Sequence, residues 1–309
     1  ITMELTRTAE PQINFAVVDL GSNTIRMTLY DVQEQGGFQA LFSEKRMAGL
    51  VNYIRSGSLT REGIEVACSV LRGFQRLLAQ FGPVHVFATA SLRNIRNTEE
   101  VLAAIRENTG LEVEVLSGEL EARYGCIGAM LTCPLAGGAV FDIGGGSTEI
   151  VRLENGKIVS AQSLDIGSLN LYNRYVSELW PSRPEIDELT SAVRKKLRKA
   201  DLPKKPSPFI CGIGGTARAV LKIANQYLEK PESNRLLTVA ELDRTAAMLL
   251  DRKNTARKLI LKNCPDRVHT ILPGVIVMTT VTHKLCKEQL YISRYGVREG
   301  YLCQKLIKP

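Results

Sequence analysis

The 309-residue sequence predicts an α/β protein made of two copies of one plan, strand–strand–strand–helix–strand–helix. Three observations predict it. Two apolar runs each end in an aspartate and a glycine turn, "AVVDLGSNTIRM" at 16–27 and "AVFDIGGGSTEIV" at 139–151. Each leads into a second strand-like run and a hairpin signal. Beyond each hairpin, helical periodicity alternates with short apolar strands. The copies share little besides the motif, which indicates a structural duplication and not a short solenoid repeat.

In the first copy, "INFAVVDL" is continuously apolar, as in a strand buried on both faces. "TIRMTLYDV" alternates, with Ile25, Met27 and Leu29 on one side, and Gly36-Gly37 signals a hairpin before "FQALFSEKRM". "TREGIEVACSVLRGFQRLLAQFG" has helical spacing, with Thr60 as N-cap and Gly82 as C-cap. "VHVFATA" is a strand, "TEEVLAAIRENTG" a helix and "LEVEVLS" a strand. "GELEARYGCIGAML" is a helix whose Gly125, Gly128 and Ala129 permit close packing. The plan then restarts, with an Asn155-Gly156 hairpin between its second and third strands. "RPEIDELTSAVRKKLRKA" is a helix, and "PFICGIGG" is a strand entering the helix "TARAVLKIANQYL". The boundary between the copies is expected in or just after the helix near residue 125.

Charged residues are 23% and hydrophobic residues 44%, an ordinary globular composition. No apolar run reaches membrane-spanning length, and residues 1–12 lack a signal-peptide core. The seven cysteines are odd in number, scattered, and without a C-x-x-C, so reduced and mostly buried thiols in a cytoplasmic protein are expected. Three separated histidines give no zinc pattern. The net charge of +8 concentrates in "RKKLRKADLPKK" (194–205) and "DRKNTARKLILK" (251–262). These runs read equally as solvated helix faces or as an electropositive surface for a polyanion. No aromatic-interleaved basic module points to nucleic acid.

The glycine turns carry the chemistry. A glycine-rich turn lets backbone N–H groups approach an oxyanion, and Ser22, Asn23, Ser147 and Thr148 add side-chain donors. One such loop is often only a hairpin, but two matched copies with an aspartate favour a pair of phosphate-gripping hairpins. Asp19, Asp142 and Glu149 stand where a magnesium accompanying phosphate would need carboxylates. Their plain alternative is hydrogen bonding within the turns. "GIGGTAR" (212–218) opens a helix after a strand, so Gly214, Gly215 and Thr216 could hold an anion or a nucleotide. The spacing of a dinucleotide fold and of a P-loop is absent.

Together these segments resemble the Ppx/GppA family of exopolyphosphatases and guanosine pentaphosphate phosphohydrolases. The match runs through "VVDLGSNTIRM", "ATASLRNIRN", "SGELEARYG", "FDIGGGSTEIV", "LDIGSLNL", "GIGGTAR", "RVHTILPGV" and "YGVREGYL", in order and over nearly the whole chain. The resemblance implies duplicated ribonuclease-H-like domains of the actin, Hsp70 and sugar-kinase superfamily, with a cleft between them. It implies the short form, with domain I at 1–125, domain II at 126–297, and 298–309 returning to domain I. The family pattern at 117–123 carries two adjacent acids. Here Leu120 replaces the first and Glu121 keeps the position of the catalytic base. Glu119 reads as a first-turn acid complementing the helix dipole.

The resemblance further implies hydrolysis of the terminal phosphoanhydride of inorganic polyphosphate, with Glu121 activating water. Mg²⁺ or another divalent cation would be held by Asp142 and Glu149, with Asp19 in support. The terminal phosphoryl group would meet Gly21, Ser22, Asn23, Ser91, Arg93, Gly144, Gly145, Gly146 and Ser147, and Arg267 the following phosphates. The alternative substrate is pppGpp at the same site. A kinase of the superfamily and a nucleotide-binding module of the actin/Hsp70 type rank lower. No nucleic acid or membrane partner is implied, and a homodimer is an expected assembly.

Overall fold

The computed structural model describes residues 13–33, 36–203 and 205–307. The 1–12 stretch read as leaderless, Lys204 of the first basic run and residues 308–309 lie outside them. Among the described residues no helix is long and apolar enough to cross a membrane. The chain divides into two compact units, 1–115 with 305–309, and 116–304.

The first unit begins with strands β1 (Ile13–Leu20), β2 (Thr24–Val32) and β3 (Phe38–Met47). A short hairpin, β4 (Ile54–Arg55) and β5 (Ser58–Leu59), leads into α1 (Arg61–Leu78). Then come β6 (Val84–Ala88), α2 (Ala90–Arg93), α3 (Thr98–Thr109) and β7 (Val113–Val115). The main sheet has the order β3-β2-β1-β6-β7. Its first three strands are antiparallel, and β1, β6 and β7 are parallel. Alternation along β1 sends Ala16, Val18 and Leu20 into a core with Leu71 and Phe74 of α1 and Val101 and Ile105 of α3. Asp19 therefore belongs to the opposite face. Thr60 caps α1 by accepting from the Gly63 amide at 3.3 Å, as its sequence predicts. The expected C-cap at Gly82 is corrected: α1 stops at Leu78, and Gly82 lies in the link to β6 with φ +128°. There its hydrogen faces the Asn14 carbonyl, where a Cβ would stand 2.5 Å from the oxygen.

The second unit opens with α4 (Gly118–Met130), then β8 (Gly138–Ile143), β9 (Thr148–Glu154) and β10 (Lys157–Leu164). It continues through α5 (Ser168–Tyr175), α6 (Arg183–Arg198), β11 (Ser207–Ile213), α7 (Gly214–Tyr227), β12 (Leu236–Thr238), α8 (Val239–Leu250) and α9 (Asn254–Asn263). A 3-10 turn (Pro265–Arg267), α10 (Ile271–Leu285), β13 (Cys286–Ile292) and α11 (Val297–Tyr301) complete it. The sheet order is β10-β9-β8-β11-β13-β12. Its first five strands repeat the first unit's order and directions, three antiparallel and then two parallel neighbours. Asn155 and Gly156 both take positive φ, 52° and 71°, the type I′ geometry expected of that pair.

Sheet alternation gives the second unit two cores. Ala139, Phe141, Ile143 and Ile150 pack toward α6, α7 and α10. Val140, Val151, Leu153, Cys211 and Ile213 pack on the other face, under Ala122, Cys126 and Ala129 of α4. Gly125 and Gly128 allow the close approach that their sequence predicts, since a Cβ on Gly128 would stand 2.0 Å from the Gly296 carbonyl oxygen. The expected boundary at 125 falls inside α4, which belongs to this unit together with α11. Residues 305–307 group with the first unit, where Lys305 pairs with Glu114 at 2.9 Å. Among the described residues all seven cysteines are free, six buried and Cys303 half-buried.

Candidate phosphate-binding site

The two motif turns are built alike, each within its own unit. Asp19 stands opposite Arg26 across β1 and β2, and Asp142 opposite Glu149 across β8 and β9, so each pair shares a sheet face. Gly21 N–H donates to the Thr24 carbonyl at 3.1 Å, and Gly144 N–H to the Ser147 carbonyl at 2.9 Å. In both, the donor lies two residues past the aspartate and the acceptor five.

In the first unit the turn is braced from outside. The amides of Ala48 and Gly49 donate to the Asn23 carbonyl, and that of Val51 to the Ser22 carbonyl. Buried Ser91 donates its hydroxyl to the Leu20 carbonyl, tying α2 to the end of β1 beside the turn. Asp19, Gly21, Ser22, Asn23 and Ser91 are thus brought together, with Arg93 two residues beyond Ser91 on α2.

In the second unit the carbonyls of the glycine loop point to α5. Ser168 N–H donates to the Gly144 carbonyl, Leu169 and Asn170 N–H to that of Gly145, and the Asn170 amide side chain to that of Gly146 at 2.7 Å. With its carbonyls held on that side, the loop leaves the amides of Gly145, Gly146 and Ser147 without an acceptor among the described residues. Such successive free N–H groups form a concavity for an anion. Gly167 permits the arrangement, because a Cβ there would meet the Gly145 oxygen at 2.3 Å.

Two carboxylates lie beside this loop, on the face covered by α4. Glu149 is only 3% exposed, and its Oε1 accepts from the Ser147 hydroxyl at 2.6 Å and the Ser163 hydroxyl at 2.7 Å. Asp142 lies against the start of α7, where a Cβ on Gly214 would stand 1.9 Å from its Oδ1. Burial pushes the Asp142 carboxyl above its usual range, while the charges of Arg218, Arg267 and Arg298 pull it down. Arg267 packs its guanidinium on Gly215, with Nη2 2.1 Å from where a Cβ would be. Buried Nη1 of Arg298 and buried Oγ1 of Thr216 have no hydrogen-bond partner among the described residues. Unpaired buried donors of this kind are costly unless a ligand completes them.

Glu121 projects from the first turn of α4. It is 8% exposed and continues the stripe of Gly125 and Gly128 that faces the 296–297 segment. Ser117 caps the helix through the Leu120 amide at 3.1 Å. Glu119 instead pairs at the surface with Arg123 at 2.9 Å, the outward role read for it in the sequence.

Glu121, Asp142, Gly144, Gly145, Gly146, Ser147, Glu149, Gly214, Gly215, Thr216 and Arg267 all belong to the second unit, and Asp19, Gly21, Ser22, Asn23, Ser91 and Arg93 to the first. Sequence reasoning missed Arg218, Arg298, Asn170 and Ser163. The first three sit in the quoted motifs "GIGGTAR", "YGVREGYL" and "LDIGSLNL" but received no role.

A sequence profile described as the Ppx/GppA phosphatase family matches residues 28–308. The chain belongs to the Ppx/GppA phosphatase family. This Ppx/GppA chain is therefore a member of a family of phosphatases, hydrolases by class. It is 25% identical over 304 residues to exopolyphosphatase 1 of Mycobacterium tuberculosis, covering 95% of this chain and 88% of the relative. Exopolyphosphatase 1 of Mycobacterium leprae is equally similar, at 25% over 305 residues. Among solved structures, the Aquifex aeolicus Ppx/GppA family member is 27% identical with a TM-score of 0.79, covering 96% of this chain and 99% of that one. An exopolyphosphatase from Cytophaga hutchinsonii, 22% identical with a TM-score of 0.83, has the same fold. These likenesses bear out the expected two-domain fold of the actin, Hsp70 and sugar-kinase type.

Proposed function

We propose that the chain is an exopolyphosphatase that removes the terminal phosphoryl group of inorganic polyphosphate. The observation that carries this reading is the Gly145, Gly146 and Ser147 amides left open beside the facing carboxylates of Asp142 and Glu149. Three arginines surround Asp142, as a polyanionic substrate requires. The names of the mycobacterial relatives support the substrate class.

In this reading the open amides bind the terminal phosphoryl oxygens, and Arg267, Arg218 and Arg298 neutralise the charge of this and the next phosphates. Glu121 orients the attacking water and takes its proton. The low exposure of Glu121 suits a base working away from bulk water. Asp19 and the 21–23 turn form a second phosphate-binding hairpin in the first unit.

The donor set fits a magnesium ion that keeps water and phosphate ligands. Among the described residues no three His, Cys, Asp or Glu gather into a metal-binding group, yet Mg²⁺ needs only one or two carboxylates. Asp142 and Glu149 would supply them. When bound, the cation would neutralise phosphate charge.

Phosphate release from polyphosphate, pppGpp and ATP, measured side by side with Mg²⁺, tests the proposal. Polyphosphate should be the preferred substrate by kcat/KM. A preference for pppGpp would transfer the same site to guanosine pentaphosphate hydrolysis, and release from none of the three would overturn the reading.

A further inference from the structure

A cavity of about 620 Å³ opens in the second unit among Leu179, Trp180, Leu261, Val268, Arg252 and Arg257. None of the site residues above lines it. A second cavity, about 570 Å³, is formed by Arg252, Lys253, Asn254, Thr255 and Arg257. Arg252 and Arg257 line both, so the two cavities are adjacent.

Their walls differ in chemistry. The first is apolar and aromatic, with Leu179 and Leu261 more than half exposed beside Trp180 and Val268. Its rim acids are Glu178 and Asp251, and Asp251 is paired with Lys253 at 2.7 Å. The second cavity is lined by Arg252, Lys253 and Arg257, of which Lys253 is the one paired with Asp251. Arg257 stands at the junction, its guanidinium 5.6 Å from the Trp180 ring centroid, so it offers a planar face to the first cavity and charge to the second. A flat apolar group joined to several negative charges matches this sequence of surfaces. A bare polyphosphate chain would leave the tryptophan and the leucines uncovered.

The cavity is also wired to the phosphate site. The Trp180 indole N–H donates to the Val268 carbonyl at 2.7 Å, and Val268 lines the cavity. Val268 directly follows Arg267, whose guanidinium rests on Gly215 beside Asp142.

We propose that this double cavity binds a nucleotide, base toward Trp180 and phosphates on Arg252, Lys253 and Arg257, and that occupancy is transmitted to Arg267 through Val268. The binding part stands independently of the polyphosphatase reading, and only the kinetic arm of the test rests on it.

Trp180 is the sole tryptophan, so its fluorescence reports on the cavity. The full chain is titrated with a non-hydrolysable nucleoside triphosphate analogue, the parent nucleoside and tripolyphosphate. The analogue should change Trp180 emission and bind at least about tenfold more tightly than either fragment. Arg257→Ala with Lys253→Ala should weaken it by about tenfold while leaving phosphate release from polyphosphate unchanged without nucleotide. This pair keeps the Arg252 bond to the Pro181 carbonyl, which holds the local backbone. Trp180→Phe, followed by calorimetry, checks that affinity and not only signal is measured. In wild type the bound analogue should shift KM for polyphosphate, and in the double variant it should not. Tripolyphosphate binding as tightly as the analogue, or calorimetric affinity unchanged in the double variant, would overturn the nucleotide site. Binding without any shift in KM would overturn the link to Arg267.

Discussion

Asp142 and Glu149 stand directly opposite one another on β8 and β9, seven residues apart in sequence and on one face of the sheet. The turn between them is the glycine loop with its open amides. A run of open backbone amides and a pair of acids thus come from a single hairpin. If the pair holds Mg²⁺, Asp142→Asn and Glu149→Gln should each raise the Mg²⁺ concentration at half-maximal activity, because hard cations depend on carboxylate charge. A metal titration of both variants checks this. Unchanged half-saturation in both would assign the ion to the substrate alone.

Glu121→Gln should lower kcat by roughly 10²–10⁴ with the fold intact, the usual cost of losing a general base. Glu119→Gln, two residues away and paired at the surface with Arg123, should stay near wild type. Steady-state kinetics with circular dichroism on both variants separates chemistry from folding. A folded Glu121→Gln enzyme of normal turnover would remove the assignment.

The legibility of this site in the sequence divides along the range of the contacts. The Asp142–Glu149 pairing was readable because a short turn fixes the register of the strands beside it. Ser163 was not. Counting back from the Asn155-Gly156 turn places Gln162 opposite Glu149, but a bulge between Ile158 and Ser160 slips β10 by one residue and brings Ser163 there instead. Arg218 and Arg298 approach Asp142 from α7 and α11, and no local pattern encodes such a long-range meeting. The start of α1 was read correctly at Thr60, where a side chain makes the cap. The end of α1 was misplaced because Gly82 serves the close passage of Asn14 and not the helix.

Two glycines with positive φ offer a matched comparison. Gly214→Ala puts a methyl into Asp142 at φ +82°, and activity should fall together with a loss of about 1–3 kcal/mol of stability. Gly156→Ala, at φ +71° with nothing within 4 Å, should lose only about 1 kcal/mol and keep its activity. Denaturant melts and phosphate release on both variants give the comparison. Equal activity losses would detach Gly214 from the site.

Glu185 ties the start of α6 to the preceding loop. Its carboxylate accepts from the backbone amides and hydroxyls of both Ser182 and Ser177, at 2.6 to 2.9 Å. These bonds lower its pKa from 4.5 to about 2, the Ser182 amide contributing most. A lowered folded-state pKa stabilises the protein above the unfolded value, and that stabilisation is lost as pH falls from 4.5 toward 2. Glu185→Gln should therefore lower Tm at neutral pH, with the gap to wild type closing across that window. A gap independent of pH would mean that shape, and not charge, holds the cap.

The hairpins at 19–26 and 142–149 have one turn bond, one spacing and one register, yet where the second copy carries Glu149 the first carries Arg26. Because the turn bond is made by backbone atoms alone, the sign of charge opposite the motif aspartate is a free variable of the scaffold. Duplication here copied a geometry and left one strand position to decide whether each copy would present two acids or an acid and a base. The loops differ before that position too, Ser22 and Asn23 in the first against Gly145 and Gly146 in the second, so one backbone turn carries side-chain donors with an acid and a base in one copy, and bare amides with two acids in the other.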